Sequence, residues 1–171
     1  MPDSAFDLVL RDRSATDALG EALARSFPGA ADGVAALYLS GDLGAGKTTC
    51  VRSFLHALGV SGPVRSPTYT LLETYAVAGL TCVHIDLYRL QGPLEASELG
   101  LRDFFAPGCL LLVEWPEKGA GSLPPADLAL TLTYDDPGRR ARLRAGSSRG
   151  TRWLVDLRHD ARLASYVSNL T

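Results

Sequence analysis

A glycine-rich loop with one lysine and two hydroxyl groups follows an apolar run in the first third of the 171-residue chain. Its spacing fits GxxxxGK[ST], the pattern of a loop that binds the phosphate groups of a nucleotide. Glycines let successive backbone N–H groups face one anion, and a helix that starts at the lysine adds its N-terminal amides. We therefore expect Lys47 to span the β- and γ-phosphates and the Thr48 hydroxyl to bind Mg²⁺. The loop comprises Gly41, Asp42, Leu43, Gly44, Ala45, Gly46, Lys47, Thr48 and Thr49.

Two further apolar runs end in a carboxylate, and hydrolysis of a triphosphate needs such groups beside the metal. Asp86 ends the run 83–86, and Glu114 ends the run 111–114. Ligands of open α/β sheets lie beyond the carboxyl ends of the strands, so both acids are expected to face the glycine-rich loop. One acid would hold Mg²⁺ directly or through water, and the other would orient the attacking water. The pattern leaves open which does which, and either acid alone is also compatible with a cap on the segment that follows.

A Ser-Pro-Thr segment at 66–68 lies between the loop and the first acid. Pro67 restricts the backbone so that the hydroxyl of Thr68 can reach a γ-phosphate or the metal, and such a segment can order with a triphosphate and loosen with a diphosphate. Taken alone, these residues are typical of an ordinary turn. His84 is expected to be a half-buried packing residue rather than a metal ligand. The sequence contains no NKxD or TKxD motif, so ATP is favoured over GTP.

An alternation of strands and helices positions these groups. The continuous apolar run 34–40 predicts a strand buried on both faces of a sheet, and apolar residues at helical spacing predict a helix over 47–58. An earlier helix is expected to start at Ser14, and β-prone runs around a turn at 78–79 predict a hairpin. A second hairpin, 128–145, is expected at the sheet edge. The sequence thus predicts an α/β fold of the P-loop NTPase type, with a central mixed sheet flanked by helices and an antiparallel edge hairpin.

The composition and net charge of the chain indicate an ordinary globular protein. Hydrophobic residues make up 46% and charged residues 21%, as in ordinary globular domains, and the net charge is −2. One domain is expected over residues 1–158, followed by a loosely held C-terminal tail over 159–171. No apolar run approaches the ~20 residues that cross a bilayer, and no basic segment precedes an apolar core at the N-terminus, so we expect a cytoplasmic protein without a membrane partner. The scattered cysteines are predicted to be reduced thiols: Cys50, Cys82 and Cys109.

The basic residues are unevenly distributed. Eight of the fifteen arginines lie between Arg139 and Arg162. Such a stretch is compatible with a surface that faces nucleic acid, a nucleotide or an acidic partner. A solvated surface with no ligand is an equally good interpretation, so the sequence leaves the role of this stretch open.

Four segments, in this order and spacing, resemble the TsaE (YjeE) family, the small bacterial ATPases of tRNA N6-threonylcarbamoyladenosine synthesis. They are the loop 41–49, the Ser-Pro-Thr segment within 66–71, the acid-containing segment 84–90, and Val-Glu-Trp-Pro at 113–116. The likeness is close from about residue 34 to residue 118, roughly half of the chain. The chain departs from the family pattern at His84-Ile85, where the family often has an aromatic residue before the acid, and in the residues after Leu157.

The resemblance implies an Mg²⁺-dependent ATPase that binds ATP and ADP and acts on a complex of a TsaD-like transferase with a TsaB-like partner. Hydrolysis would reset that complex between rounds of tRNA modification at A37, and tRNA would be contacted only through the complex. The resemblance favours Glu114 as the direct Mg²⁺ ligand. Carried over by motif, the site residues are Lys47 and Thr48 for phosphate and metal, Thr68 for the γ-phosphate, Asp86 and Glu114 for metal and water, and Trp115 and Arg139 beside the nucleotide.

Two other functions fit parts of the sequence. A small-molecule kinase can have this size and loop, and the stretch 139–149 could be its arginine-rich lid; phosphate release would then wait for an acceptor. A nucleotide-gated binding module with incidental hydrolysis is the other alternative. It would tolerate the loss of Glu114, whereas the ATPase interpretation requires that residue for turnover.

Overall fold

The computed structural model describes residues 5–168. Within this range the strands are β1 (Ala5–Leu10), β2 (Ala35–Gly41), β3 (Leu72–Val77), β4 (Leu80–Asp86), β5 (Cys109–Glu114), β6 (Leu128–Asp135) and β7 (Gly138–Ala145). The α-helices are α1 (Arg13–Arg25), α2 (Lys47–Leu58), α3 (Pro93–Ser97) and α4 (Ser148–Arg158). Short 3₁₀ helices span Leu101–Phe104, Pro116–Gly119 and Ala161–Tyr166. Among these described residues, no helix combines the length and the apolar character that crossing a membrane requires.

The strands form one mixed sheet, as predicted, in the order β1-β7-β6-β2-β5-β4-β3. β2 pairs in parallel with β5 and β6, and β5 pairs in parallel with β4. The pairs β1–β7, β6–β7 and β3–β4 are antiparallel. Because β2, β4 and β5 run in the same direction, the loop and the acids that follow them emerge at one end of the sheet.

Both predicted hairpins form, but the one at the edge of the sheet is β3–β4 rather than β6–β7. β1 pairs along the outer side of β7 and covers it. Phe6, Leu8 and Leu10 of β1 are buried in the larger core, and Asp7 between them forms an ion pair with Arg142 of β7 at 2.8 Å. Burial of the apolar face of β1 therefore places the hairpin 128–145 one strand in from the edge.

Helices cover both faces of the sheet, and β2 contributes side chains to both. Leu37 and Leu39 join the core formed with α1, α2 and α4, whereas Ala36 joins the core on the opposite face. The alternation confirms the predicted strand with two buried faces. Trp153 of α4 lies in the larger core, with its ring centroid 6.2 Å from that of Phe54 of α2.

The helix after the loop has the bounds that the sequence predicts, Lys47–Leu58. Gly46 precedes it with φ 108°, and Gly59 ends it, with its N–H donating to the carbonyl of His56 at 3.0 Å. A glycine at each end thus fixes where the helix begins and ends.

The sequence predicts that α1 starts at Ser14, and this prediction is wrong, because the N-cap lies two residues earlier. The N-cap is Asp12, whose Oδ1 accepts a hydrogen bond from the N–H of Ala15 at 2.9 Å, and the helix begins at Arg13. An extended residue with a carboxylate satisfies the free amides of the first turn directly. Ser14 lies inside that first turn and is exposed.

The segment after α4 is held against the domain, contrary to the expectation of a loose tail. Leu163 is buried in the larger core. Asp160 pairs with Arg25 of α1 at 2.8 Å, and Val167 forms a β-bridge with Leu8 of β1. Residues 169–171 of the predicted tail lie outside the described residues.

Contacts within the fold engage much of the arginine-rich stretch. Arg140 pairs with Asp135 at 3.1 Å, and Arg149 pairs with the buried Asp127 at 3.0 Å. The stretch 139–149 consists mainly of strand β7 and the start of α4, so the basis for an arginine-rich kinase lid is removed.

The cysteines are free thiols, as predicted. Cys50 and Cys82 are buried, and Cys109 is partly exposed. Burial raises the pKa of the Cys50 thiol to about 12 and that of the Cys82 thiol to about 11. These two side chains therefore behave as neutral core residues.

Candidate active site

One cleft gathers the four sequence motifs at the end of the sheet where β2, β4 and β5 finish. Its volume is about 340 Å³. It therefore brings together residues that lie far apart in the chain. The lining residues are Leu43, Gly44, Gly46, Lys47, Thr48, Thr49, Ser66, Thr68, Asp86, Tyr88, Glu114 and Trp115.

The backbone of the glycine-rich loop takes a course that other residues would resist. Gly41 and Gly46 have φ values of 138° and 108°. A Cβ at Gly41 would collide with the carbonyl oxygen of Leu132. The N–H of Ala45 donates to the carbonyl of Asp42 at 3.0 Å, which closes a tight turn. The loop is thus a compact concavity of backbone amides at the start of α2, the geometry that receives an anion.

Lys47 is folded back onto this loop. Its Nζ donates to the carbonyl oxygens of Gly41 at 2.5 Å and Asp42 at 2.8 Å, and lies 4.3 Å from the centre of the Trp115 ring. Burial lowers the pKa of Lys47, and the charges of nearby carboxylates, Glu114 foremost, act in the opposite direction. The ammonium is therefore held inside the cleft by weak neutral acceptors that an anion can replace.

Glu114 lies at the end of β5 and contacts the first helical turn of α2. Its Oε1 accepts a hydrogen bond from the Thr48 hydroxyl at 2.7 Å, and the residue is only 1% exposed. In the parallel pairing of β4 with β5, Glu114 stands directly beside Asp86. The two strand-end acids thus lie side by side and line the same cleft as the glycine-rich loop.

Asp86 is surrounded by hydrogen-bond donors. Its Oδ2 accepts from the Ser66 hydroxyl at 2.6 Å and the Thr68 hydroxyl at 3.2 Å, and its Oδ1 accepts from the N–H of Tyr88 at 3.0 Å. The Ser-Pro-Thr segment is therefore tied to the end of β4 through this carboxylate. Sequence reasoning missed Ser66 as a site residue, although a hydroxyl two positions before Thr68 was the signal.

Trp115 follows Glu114 in a left-handed backbone conformation, with φ 58°. This region is unusual for a bulky residue and costs about 1–2 kcal/mol, so the surroundings must enforce it. The Trp115 N–H donates to the carbonyl of Leu39 at 3.2 Å, and its ring lies 5.1 Å from that of Tyr88. The conformation turns the indole into the cleft. Tyr88 was missed from the sequence; the signal was an aromatic residue two positions after Asp86.

The end of the β6–β7 hairpin contacts the outer part of the loop. Arg139 Nη2 donates to the carbonyl of Gly44 at 3.1 Å, and the Tyr134 hydroxyl donates to the carbonyl of Leu43 at 2.9 Å. The buried Nε of Arg139 has no hydrogen-bond partner among residues 5–168. Arg139 is thus beside the loop, where the resemblance implied it would be, and Tyr134 is an additional contact that no local pattern indicates.

The oxygen groups of the cleft suit a hard cation bound together with an anion. Residues 5–168 contain no group of three or more His, Cys, Asp or Glu side chains placed to hold a metal ion. Mg²⁺ is usually bound by one or two protein oxygens, with phosphate oxygens and water completing its shell. The Thr48 hydroxyl and the two carboxylates match that need, so the cleft fits a magnesium nucleotide better than a metal alone.

Comparison with known proteins identifies the family. A sequence model of the family described as threonylcarbamoyl adenosine biosynthesis protein TsaE matches residues 10–142. The chain belongs to the TsaE family. A TsaE protein of Haemophilus influenzae is 48% identical over 67% of this chain and 72% of its own length. A TsaE protein of Rickettsia felis is 37% identical over 78% of this chain and 75% of its own. Both are named as tRNA threonylcarbamoyladenosine biosynthesis proteins.

A solved structure supports the same assignment. The crystal structure of YdiB from Bacillus subtilis matches 91% of this chain and 96% of its own, with a TM-score of 0.74 and 29% identity. The resemblance to the TsaE family and the P-loop NTPase type of fold, both predicted from the sequence, are thereby confirmed.

Proposed function

We propose that this chain is an Mg²⁺-dependent ATPase that takes part in tRNA N6-threonylcarbamoyladenosine synthesis. The observation that carries the proposal is the 2.7 Å hydrogen bond between Thr48 and Glu114, in a cleft that also holds Lys47 and Asp86. A phosphate-binding loop with carboxylates beside it is what hydrolysis of a nucleoside triphosphate requires. The pathway rests on the TsaE family and on the names of its members.

Lys47 and Thr48 are proposed to receive the phosphates and the metal. The Lys47 ammonium exchanges the carbonyl oxygens of Gly41 and Asp42 for phosphate oxygens, to which it binds more strongly because they are charged. The Thr48 hydroxyl would offer a lone pair to the cation and keep its hydrogen bond to Glu114. Mg²⁺, when bound, supplies positive charge that stabilises the charge developing on the phosphate oxygens.

The two strand-end acids, Asp86 and Glu114, are proposed to have different roles in hydrolysis. Glu114 serves the metal, because it shares a hydrogen bond with the hydroxyl that would bind it. Asp86 orients the attacking water and the Ser-Pro-Thr segment, because Ser66 and Thr68 both donate to it. Thr68 is then placed to sense the γ-phosphate, and its segment can respond to the loss of that group. Trp115, whose ring lies against Lys47, and Arg139, which donates to the carbonyl of Gly44, are proposed to border the nucleotide.

The partners we propose are a TsaD-like transferase and a TsaB-like protein. Hydrolysis would reset their complex between rounds of modification of tRNA at A37, and tRNA would be reached only through that complex. ATP and ADP are the proposed nucleotides. The chain would turn over slowly alone and faster with the pair, because conformational steps rather than chemistry limit many such cycles.

The test is phosphate release by the purified chain, with and without the transferase pair, together with calorimetric titration of ADP and Mg²⁺. Glu114→Gln should lower the rate of release by about a hundredfold, whereas Lys47→Ala should weaken ADP binding by about tenfold or more. Glu98→Gln, which removes an exposed carboxylate that does not line the cleft, is the matched control. Normal tRNA modification by Lys47→Ala, or phosphate release that appears only with a small-molecule acceptor, would contradict the proposal.

A further inference from the structure

His84 is a buried residue whose hydrogen bonding is incomplete. It is 0% exposed, on β4 two residues before Asp86, and neither ring nitrogen has a hydrogen-bond partner among residues 5–168. Buried polar atoms nearly always have partners, and one left without costs about 1–3 kcal/mol. The expectation of a half-buried packing residue therefore does not account for this side chain, since an apolar residue would fill the same space without that cost.

The carboxylate of Glu114 lies beside this ring. His84 Nε2 lies 3.8 Å from Glu114 Oε1, just beyond hydrogen-bond distance. The same oxygen accepts the 2.7 Å hydrogen bond from Thr48. Glu114 Oε1 thus accepts a hydrogen bond from Thr48, and a small movement of either side chain would bring His84 Nε2 within hydrogen-bond distance of the same oxygen.

We propose that His84 is a positioning residue for Glu114. With nucleotide bound, its Nε2–H donates to Glu114 Oε1 and fixes the carboxylate toward Thr48. Hydrogen bonds of catalytic groups are often long in unliganded structures and tighten when the site fills. A second donor restricts the rotation of the carboxylate, as outer partners do for ligands of metal sites. This inference rests on the proposed function, because it assigns His84 a role toward the acid that serves the metal.

Two substitutions separate this role from simple packing. His84→Met keeps an unbranched side chain of similar length without a donor, whereas His84→Gln places an amide N–H close to the position of Nε2. His84→Met should leave the melting temperature of the unliganded protein unchanged or raise it, because it removes buried polar atoms without partners. The same variant should lower kcat for phosphate release about tenfold, with KM within about threefold of wild type. His84→Gln should recover most of the lost rate.

A second readout does not depend on turnover. The Mg²⁺ concentration that gives half-maximal enhancement of ADP binding should rise about fivefold or more in His84→Met and stay near wild type in His84→Gln. An unchanged Mg²⁺ midpoint and kcat in a folded His84→Met would overturn the inference. Equal losses in both variants together with a lower melting temperature would also overturn it, since that is the result of a packing role. If His84→Met does not fold, a folded His84→Gln with wild-type melting temperature and lost activity would overturn it as well.

Two outcomes distinguish loss of the ATPase activity from loss of the role of His84. A wild-type chain that releases no phosphate with the transferase pair would remove the ATPase, while the Mg²⁺ midpoint would still decide the role of His84. A wild-type chain that hydrolyses ATP, with His84→Met equal to it in both readouts, would remove the inference alone.

Discussion

Among single residues, Ser66 makes the shorter of the two hydrogen bonds between the Ser-Pro-Thr segment and Asp86. Its hydroxyl lies 2.6 Å from Asp86 Oδ2, against 3.2 Å for Thr68. Ser66→Ala should therefore lower kcat for phosphate release about tenfold, because a hydrogen bond to a charged group contributes about 1.5–3 kcal/mol and this one orients the acid. ADP affinity should change by less than about threefold. Ser97→Ala, an exposed serine on α3, is the control, and an unaltered kcat in Ser66→Ala would contradict the prediction.

Residues of the cleft could be found from the sequence when a local signal marked them. Lys47 follows a glycine spacing, and Glu114 ends an apolar strand. Ser66 carried only a weak signal, because its contact to Asp86 depends on how the segment folds back to β4. Tyr88 also carried a weak signal, because its contact to Asp86 depends on the turn that the backbone makes just after β4. Tyr134 carried none: it is 91 residues from the loop carbonyl to which it donates, and only the sheet order brings the two together.

Among the secondary-structure elements, α1 begins at a different cap from the one that the sequence predicts, Asp12 instead of Ser14. Asp12→Ala should lower the free energy of unfolding by about 1 kcal/mol, because the N–H of Ala15 loses its acceptor. Ser14→Ala should leave stability within about 0.5 kcal/mol of wild type, because the side chain is exposed inside the first turn. Urea denaturation of the two variants measures the difference. Equal losses, or a larger loss in Ser14→Ala, would show that the cap is misassigned.

The helices and strands were predictable where the sequence pattern that marks them is local, within or next to the element. The bounds of α2 follow from glycines next to its ends, and β2 follows from one continuous apolar run. The place of β1 did not follow, because its alternating pattern says which face is buried but not which strand lies beside it. Its pairing with β7 joins residues more than a hundred positions apart, such as Leu8 and Ala141.

At the scale of the whole molecule, the two ends of the described chain are joined around α1 and β1. The N–H of Ser168 donates to the carbonyl of Asp7 at 3.1 Å, beside the bridge between Leu8 and Val167. Asp160 accepts hydrogen bonds from Arg25 Nε at 3.0 Å and Nη2 at 2.8 Å, which anchors the start of this segment on α1. The C-terminal segment therefore contributes to the stability of the domain rather than to the cleft.

The pKa of Asp160 makes this anchor sensitive to acid. Burial alone would raise that pKa, but the hydrogen bond from Arg25, the backbone N–H of Arg162 and the two positive charges lower it below its ordinary value of 3.8. A carboxyl group with a lowered pKa in the folded state adds stability above its unfolded pKa, and the contribution is lost as the pH falls through the folded value.

Asp160→Asn should thus cost about 1 kcal/mol in the free energy of unfolding near pH 7. The difference from wild type should shrink as the pH falls below about 3.8. Urea denaturation across this range measures it, with the exposed Asp156→Asn as the control. A deficit that stays constant into acid would mean that the carboxylate charge is not what holds the segment.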